Sequence, residues 1–459
     1  MVLVCASTLF AKGPSAARPV QPKGSAAKGP PVVSKARFKA FTEISSDFEE
    51  LSKGLPSGDL PNSFCYADRA EEDPDVLTVF GRNMDSPVRL ASVSKVVTSF
   101  WALSVLGPQY RYKTEFSWNP TSKRLHIKGS QDPFMGLHAL MFMASELDRM
   151  NIHDIAQVSF DSNFFVFELV DVRASYETAF GSQSNPTPQM AQIALSKYFN
   201  TRIWPKSVLQ FYQLLKEKAK SFNVPMQVSP KLAARNIILS ETDDVSSEPG
   251  TIHFTYQSAP LYKYLKHINT RSINYPPSII FRTLGGTIEL NKFLEEKLRI
   301  AKGGVLMHTG SGIEYYLDGE VTHQLRVDNI SSCRNILKVI IGLEALLRSI
   351  KFELPDVLMV AGVDKGTWNG SPEVAGAVTA KTGTLYTFPV SNLAGMANAT
   401  AGEIYFGIFF QMKDRSEMPK AHASANFMVD DIFFKNGSKK LKPLATEAKE
   451  FLVFDLKMQ

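Results

Sequence analysis

Apolar residues follow a helical period most clearly in the segment ASVSKVVTSFWALSVLGP. Its apolar side chains recur at the spacing of one helix face: Val93, Val96, Val97, Phe100, Trp101 and Leu103. Gly107 and Pro108 follow and end the run, as is typical of a helix C-terminus. The pattern therefore predicts a buried helix.

The remaining pattern divides the chain into further helices and short strands. Helical spacing occurs at 36–54, about 135–150, 206–222, about 287–299 and about 332–350. Strand-like runs occur at 63–67, 76–81, 158–169, about 376–382, 389–397 and 402–412. A hairpin is predicted over 111–129, and 182–189 and 241–251 are typical of polar connections. Helices and antiparallel strands in runs indicate an α+β fold rather than a parallel doubly wound sheet.

The composition is that of an ordinary globular protein, with 44% hydrophobic and 21% charged residues. The 459 residues suggest two or three folding units, or one domain that carries an insert. The net charge of +6 favours anionic surroundings but is spread over many residues. Because no RNA-binding signature or zinc-finger spacing accompanies it, we expect no nucleic-acid partner.

Three cysteines, Cys5, Cys65 and Cys333, are present, and none belongs to a C-x-x-C pair. Cys65 and Cys333 could form a disulfide, but we expect two ordinary buried thiols. The eight histidines show no metal-binding spacing, so we predict no catalytic metal and no cofactor.

The N-terminal segment 1–35 has two parts. Residues 2–10 are apolar, too short to span a bilayer, and resemble the hydrophobic region of a secretory signal, although a basic region before them is missing. Residues 12–35 are rich in Pro, Gly, Ala and Lys, which is typical of a flexible linker. We therefore expect a periplasmic or secreted protein without a transmembrane anchor.

Ser92 and Lys95 form the first of three elements that could carry chemistry. Residues three apart share a face of a helix, so Lys95 could reach the hydroxyl of Ser92. A serine becomes a good nucleophile when a base removes its proton, and a desolvated lysine can be that base. Chance matches to S-x-x-K are nevertheless frequent, and many such serines only cap helices.

The second element is Ser272-x-Asn274, in which a hydroxyl and an amide two residues apart could face one cleft from a loop or extended segment. The third is Lys381-Thr382-Gly383 in a strand-like run, where Lys381 would attract a carboxylate and Gly383 would let a substrate backbone approach. Each element alone is weak, since S-x-N is common in loops and K-T-G could instead form a β-turn with a solvated lysine.

Together and in this order, the three elements match the S-x-x-K, S-x-N and K-T-G set of penicillin-recognising enzymes. Their flanking text resembles the D-alanyl-D-alanine carboxypeptidase/endopeptidase family, the class C low-molecular-mass penicillin-binding proteins. The similar segments are RLASVSKVVTSFWALSVLGPQYRYKTEF, NTRSINYPPSIIFRTLGG, MHTGSGIE, VAGVDKGT and AKTGTL with SNLAG. The resemblance covers roughly residues 40–165 and 260–415.

This resemblance implies a serine D,D-peptidase with the penicillin-binding-protein/β-lactamase-like transpeptidase fold, a helical cluster on an antiparallel sheet. The catalytic domain would comprise 36–112 and 262–459, with a cap domain inserted at 113–261. Ser92 would attack the substrate with Lys95 as base, and Ser272 would pass the proton to the leaving amine. The backbone N–H of Thr384 would join that of Ser92 in an oxyanion hole. The other implied site residues are Asn274, Lys381, Thr382 and Gly383.

Several departures from the family pattern bear on specificity. Ile273 replaces the aspartate of S-D-N, and Thr309 replaces the aspartate of the D-G-S-G turn. The segment TWNGSPEVAGA lacks the basic residues usual there. The insert is also shorter than the family typically has, which implies a reduced cap and a more open cleft. We therefore favour D,D-endopeptidase activity on cross-linked peptides over D,D-carboxypeptidase activity.

The alternatives are a β-lactamase or esterase on the same fold, a catalytically inert peptidoglycan-binding protein and, more remotely, a basic nucleic-acid-binding protein. His308 and Ser311 could suggest a Ser–His pair, but HTGSG lacks a nucleophile elbow and favours a structural turn. The expected partners are peptidoglycan peptides, β-lactams as covalent inhibitors, and a proteinaceous inhibitor that could restrain the enzyme. We expect a monomer or a weak oligomer.

Overall fold

The computed structural model describes residues 35–70, 77–166, 187–221, 223–313, 315–316, 326–441 and 457–458. Its helices are α1 Lys35–Lys53, α2 Ser94–Leu106, α3 Leu137–Arg149, α4 Pro188–Tyr198, α5 Lys206–Ser221, α6 Leu261–Arg271, α7 Tyr275–Thr283, α8 Gly286–Leu298, α9 Cys333–Ser349 and α10 Met418–Asn436. All the helices predicted from periodicity are confirmed. Helices α4, α6, α7 and α10 were not predicted.

The strands are β1 Ser63–Ala70, β2 Leu77–Arg82, β3 Pro87–Arg89, β4 Lys113–Asn119, β5 Arg124–Lys128, β6 Asp154–Phe160, β7 Ala233–Leu239, β8 Ile252–Gln257, β9 Val305–Leu306, β10 Tyr315–Tyr316, β11 Arg326–Val327, β12 Ile330–Ser332, β13 Met359–Val360, β14 Val378–Leu385, β15 Val390–Ala399, β16 Gly402–Gln411 and β17 Lys457–Met458. The hairpin predicted over 111–129 is confirmed as β4 and β5.

A six-stranded antiparallel sheet in the order β13-β14-β15-β16-β1-β2 forms the middle layer of the molecule. Helices α1 and α10 cover one face, and α2 and α9 lie on the other. Alternate residues of β1 enter the two cores: Phe64 and Tyr66 face α1 and α10, whereas Cys65 and Ala67 face α2 and α9. Strands that are buried on both faces give nearly continuous apolar runs, which is why this sheet was readable from the sequence.

The second sheet has the order β17-β8-β4-β5-β6-β7 and a separate apolar core with α3, α4 and α5. Here the pairs β5–β6 and β6–β7 are parallel, so the expectation of antiparallel strands fails in this sheet. The physical reason is that α3 lies between β5 and β6, and a helical crossover returns the chain in the same direction. The α+β class is correct, with helices on an antiparallel central sheet and a second, mixed sheet.

Two predicted boundaries in and near this second sheet are wrong. The strand predicted at 158–169 lies within β6 only as far as Phe160, and Asp161 then accepts a hydrogen bond from the Gly129 backbone N–H. The predicted connection 182–189 lies mostly within residues 167–186, which are outside the described residues. The last two residues of that predicted connection are not a connection, because they begin α4. The connection 241–251 contains a short 3₁₀ turn, Val245–Ser247.

Cys65 and Cys333 form a disulfide, so the expectation of two free thiols is wrong. Cys65 lies on strand β1 of the central sheet, and Cys333 begins α9, which packs on that strand. Packing brings the two Cα atoms to 5.9 Å although 268 positions separate them, a proximity that no sequence spacing indicates. Gly407 on the neighbouring strand provides room, since a Cβ there would lie 2.8 Å from Cys333 Sγ.

None of the helices in the described part of the chain is both long and apolar enough to cross a membrane.

Candidate active site

Ser92 lies in a 3₁₀ turn, Ala91–Val93, that leads directly into α2. Lys95 occupies the first turn of that helix, and its Nζ lies 2.7 Å from Ser92 Oγ. The contact predicted from the three-residue spacing is therefore present. Ala91 has a left-handed φ of 48°, a conformation that L-residues rarely adopt and that needs support from the surrounding structure.

Lys95 is fully buried and is surrounded by neutral oxygen atoms. Besides Ser92 Oγ, its Nζ contacts Asn274 Oδ1 at 2.8 Å and the Ser311 carbonyl at 2.9 Å. Burial, aided by the nearby charge of Lys381, holds the pKa of Lys95 well below its usual value. A buried lysine that loses its proton readily can accept the proton of the adjacent hydroxyl.

Ser272 and Asn274 lie at the junction of two helices rather than in the extended segment or loop that we expected. Ser272 ends α6 with a left-handed φ of 57°, and Asn274 immediately precedes α7. Their side chains reach different lysines: Asn274 Oδ1 contacts Lys95, and Ser272 Oγ accepts a hydrogen bond from Lys381 at 3.0 Å. Ile273, between them, points away from the cleft into the main core and is 4% exposed.

Lys381, Thr382, Gly383 and Thr384 follow one another along β14. Lys381 is fully buried, and its Nζ also donates to the Thr382 carbonyl at 2.8 Å. Burial lowers the pKa of Lys381 to about 7. Its ammonium group joins Ser272 to β14, so all three sequence elements are brought together around the two lysines.

Gly383 has a different role from the one that the sequence suggested. A Cβ at this position would lie 2.6 Å from the Leu90 carbonyl oxygen and 3.2 Å from the Val93 backbone nitrogen. The glycine therefore lets β14 lie against the turn that carries Ser92, instead of leaving room for a substrate backbone. Thr384, the next residue, is half-buried beside that turn.

Two amide side chains from the sheet support the turn that carries Ser92, and sequence reasoning missed both. Asn392 Nδ2 donates to the carbonyl oxygens of Arg89 at 2.8 Å and Leu90 at 3.1 Å. Gln411 accepts a hydrogen bond from the Arg89 backbone N–H at 2.9 Å. Asn392 lies in the SNLAG segment, but nothing in its spacing indicated this contact.

The HTGSG turn supports the site from the opposite side. Ser311 contributes its carbonyl oxygen to Lys95, and its hydroxyl accepts a hydrogen bond from Ser278 at 3.0 Å. Thr309 Oγ1 accepts from the Gly312 backbone N–H at 3.1 Å, so it closes the turn in place of the expected aspartate. The segment is thus a structural turn, as predicted, that also supplies one contact to Lys95.

Within the residues that the structure describes, no group of three or more His, Cys, Asp or Glu side chains is arranged to hold a metal ion.

The model of the D-Ala-D-Ala carboxypeptidase 3 (S13) family matches residues 74–187 and 238–430, more than half of the chain. These ranges include Ser92, Lys95, Ser272, Asn274 and the K-T-G segment. The chain therefore belongs to the D-Ala-D-Ala carboxypeptidase 3 (S13) family, and it is a serine D,D-peptidase. No curated protein sequence matches the chain.

Solved structures similar to this one include two predatory endopeptidases from Bdellovibrio bacteriovorus. Bd0816, in complex with the immunity protein Bd3460, gives a TM-score of 0.76 at 28% identity over 86% of this chain and 99% of that chain. Penicillin G-acylated Bd3459, also with Bd3460, gives 0.74 at 30% identity over 87% and 99%. Penicillin binding protein 4 from Haemophilus influenzae shares the fold, with a TM-score of 0.55 at 16% identity over 83% and 98%.

Proposed function

We propose that the protein is chiefly a D,D-endopeptidase that hydrolyses D-Ala-D-X cross-links of peptidoglycan through an acyl-enzyme on Ser92. The observation that carries the catalytic assignment is the 2.7 Å contact between Ser92 Oγ and the buried Nζ of Lys95. The preference for cross-links is supported by the similarity to Bd3459, which is described as a predatory peptidoglycan endopeptidase.

Acylation begins when neutral Lys95 accepts the proton of Ser92 and Oγ bonds to the carbonyl carbon of the scissile amide. The backbone N–H groups of Ser92 and Thr384 donate to the oxygen that becomes negative. Ser272, which is hydrogen-bonded to Lys381, gives its proton to the amine nitrogen as the C–N bond breaks. The proton that Lys95 took from Ser92 then passes to Ser272, so Lys95 is neutral again. The amine leaves and the acyl group remains on Ser92.

Deacylation follows the same path with water in place of the amine. Lys95 accepts a proton from the water molecule as the water oxygen bonds to the acyl carbon. Lys95 then returns this proton to Ser92 Oγ as the ester bond breaks, which regenerates the free enzyme. Asn274 holds Lys95 through its Oδ1, and its Nδ2 makes no hydrogen bond to the described residues. That amide N–H₂ group is therefore available to donate to the substrate backbone.

Digestion of purified sacculi tests the substrate preference. Wild-type protein should convert dimeric muropeptides to monomers, and Ser92→Ala should leave them intact. Release of terminal D-Ala from pentapeptides while dimers persist would contradict the endopeptidase assignment and make the protein a carboxypeptidase.

We further propose that the enzyme acts outside the cytoplasm, in the periplasm or after secretion. The disulfide between Cys65 and Cys333 supports this location because such bonds form and persist in oxidising compartments. The proposed substrate lies in the same compartment.

Two kinds of partner are proposed by similarity. Bd3459 is acylated by penicillin G, so β-lactams should acylate Ser92 of this protein. Bd0816 and Bd3459 each form a complex with an immunity protein, which makes a proteinaceous inhibitor a candidate partner for this chain.

A further inference from the structure

The hydroxyl groups of Thr367 and Thr382 lie 2.7 Å apart at the edge of the cleft. Thr382 Oγ1 is also 3.4 Å from Lys381 Nζ, so two hydroxyls and an ammonium group converge. Within a hydroxyl pair, one O–H donates to the other oxygen and the second O–H remains free to donate outwards. Thr367 is exposed and Thr382 half-buried, so this outward donor can meet a ligand.

Thr367 belongs to a loop, and two contacts with the end of α6 fix the position of this loop. Its backbone N–H donates to the Thr270 carbonyl at 3.2 Å. Gly366 lies against the same carbonyl, where a Cβ would come within 2.8 Å of the oxygen. Because Thr270 lies in the last turn of α6, the helix end that presents Ser272 also fixes Thr367.

A buried ion pair anchors the start of this loop to the same helix. Lys266 Nζ lies 2.5 Å from Asp364 Oδ2, and it also donates to the carbonyl oxygens of Pro355 and Leu358. Asp364 accepts a further hydrogen bond from the Val360 backbone N–H. Truncating either member would leave a buried charge unpaired, so the pair holds the loop firmly.

The direction of the substrate places a carboxylate near these donors. In the proposed mechanism the leaving amine faces Ser272, whose Oγ is 3.0 Å from Lys381 Nζ. In a D,D-peptide, the carboxylate of the leaving residue is separated from that amine nitrogen by a single carbon atom. It must therefore lie on the Lys381 side of the scissile bond, close to Thr382.

We propose that Thr367 is a specificity-determining residue that, with Thr382 and Lys381, binds the free carboxylate of the leaving residue. The inference rests on the proposed function, since it takes Ser92 as the nucleophile and Ser272 as the group facing the leaving amine. It assigns to the enzyme substrates in which the residue after the scissile bond carries an unmodified carboxylate.

A pair of thioester substrates tests this role. Both have the same acyl-D-alanyl group; the leaving thiol carries a carboxylate in one and a carboxamide in the other. The reactive thioester keeps both rates measurable. For wild-type protein, kcat/KM should be higher for the carboxylate. In Thr367→Val that preference should fall about tenfold, the effect of losing a hydrogen bond to a charged group, with the carboxamide rate unchanged.

Two further variants separate recognition from structure. Thr367→Ser keeps the hydroxyl and should restore the preference, and Thr387→Val, which alters an exposed threonine in the turn after β14, should leave it unchanged. Equal losses for both thioesters in Thr367→Val would show a purely structural role and overturn the inference. An unaltered preference in that variant would overturn it as well.

The wild-type rates distinguish failure of this inference from failure of the proposed function. If wild-type protein hydrolyses neither thioester, the proposed function fails. If it hydrolyses both equally well, the proposed function survives and the carboxylate site is refuted.

Discussion

Lys95 and Lys381 are both fully buried in one cleft, but their contacts suit them to opposite protonation states. Lys95 contacts Ser92, the proposed nucleophile, and its lowered pKa favours the neutral amine that a base requires. Lys381 lies beside the proposed carboxylate site, where the ammonium form is required. A bound carboxylate would favour that form, because an opposite charge raises the pKa of a lysine.

The pH dependence should reveal the role of Lys381. Its pKa of about 7 in the free enzyme means that the ammonium form is lost as the pH rises through 7. We expect kcat/KM for the carboxylate thioester to fall above that pH, because kcat/KM reports groups of the free enzyme. The carboxamide thioester should show no such fall. If kcat/KM fell with pH in the same way for both thioesters, Lys381 would not be the group that recognises the carboxylate.

Stability should also depend on Lys381. An unfolded lysine has a pKa of about 10.4, so between about pH 7 and 10 the unfolded chain binds more protons than the folded one. The free energy of unfolding should therefore rise with pH across that window. Lys381→Met should flatten the rise and stabilise the fold at pH 7 by about 1 kcal/mol. Denaturant unfolding of both proteins at pH 7 and pH 10 measures the rise of the unfolding free energy with pH. An equal rise in wild type and Lys381→Met would argue against a buried charge at Lys381.

At the scale of single residues, sequence reasoning selected residues that the fold brings together, but it predicted only their local contacts. The spacing of Ser92 and Lys95 was sufficient to predict their contact, because a helical turn fixes it. The hydrogen bond between Ser272 and Lys381 joins residues 109 positions apart, so only the tertiary fold shows it. Likewise, the inward orientation of Ile273 follows from a helix junction that S-x-N does not indicate.

The turn that carries Ser92 is held by elements on both of its sides. Strand β14 lies against it at Gly383, and β15 contributes Asn392. On the other side, Asn329 accepts a hydrogen bond from the Leu90 backbone N–H through its carbonyl and donates to Ser94 Oγ at 2.9 Å. These contacts hold Ala91 in its left-handed conformation and Ser92 in place.

Replacement of Asn392 tests this support. Asn392→Ala removes two hydrogen bonds to the turn and leaves buried carbonyl oxygens without their donor, so the free energy of unfolding should fall by about 1–3 kcal/mol. Acylation should slow about tenfold because Ser92 and Thr384 are no longer held together. KM for a thioester substrate should change little.

Asn398→Ala is the matched control on the same strand. Its Nδ2 bonds the Lys439 carbonyl at an exposed site, so the variant should keep the acylation rate. If Asn392→Ala lost stability while acylating at the wild-type rate, Asn392 would be a structural residue only.

At the scale of the whole molecule, the disulfide joins β1 of the central sheet to α9, the helix that follows β12. Both sulfurs are fully buried, and the bond closes a loop of 268 residues, so it restricts the unfolded chain strongly. Replacing Cys65 and Cys333 together by serine should reduce the free energy of unfolding by about 2–5 kcal/mol. Peptide mapping without reductant should recover the two cysteines in one cross-linked product. Recovery of separate free-thiol peptides would contradict the bond.

The large-scale architecture was predictable where one apolar pattern dominates. The doubly buried strands β14, β15 and β16 and the helix α2 have continuous or strongly periodic apolar runs. The parallel pairs β5–β6 and β6–β7 were missed because strand direction depends on the crossover and not on the residues of the strand. The disulfide was missed for a similar reason, since its proximity is created by packing alone.

The most direct test of the account is to locate the adduct formed with benzylpenicillin. Protein treated with the β-lactam should carry one penicilloyl group, and peptide mapping by mass spectrometry should place it on Ser92. Ser92→Ala, with an unchanged circular dichroism spectrum, should carry none. An adduct on another residue, or labelling that persists in Ser92→Ala, would contradict the assignment of the nucleophile.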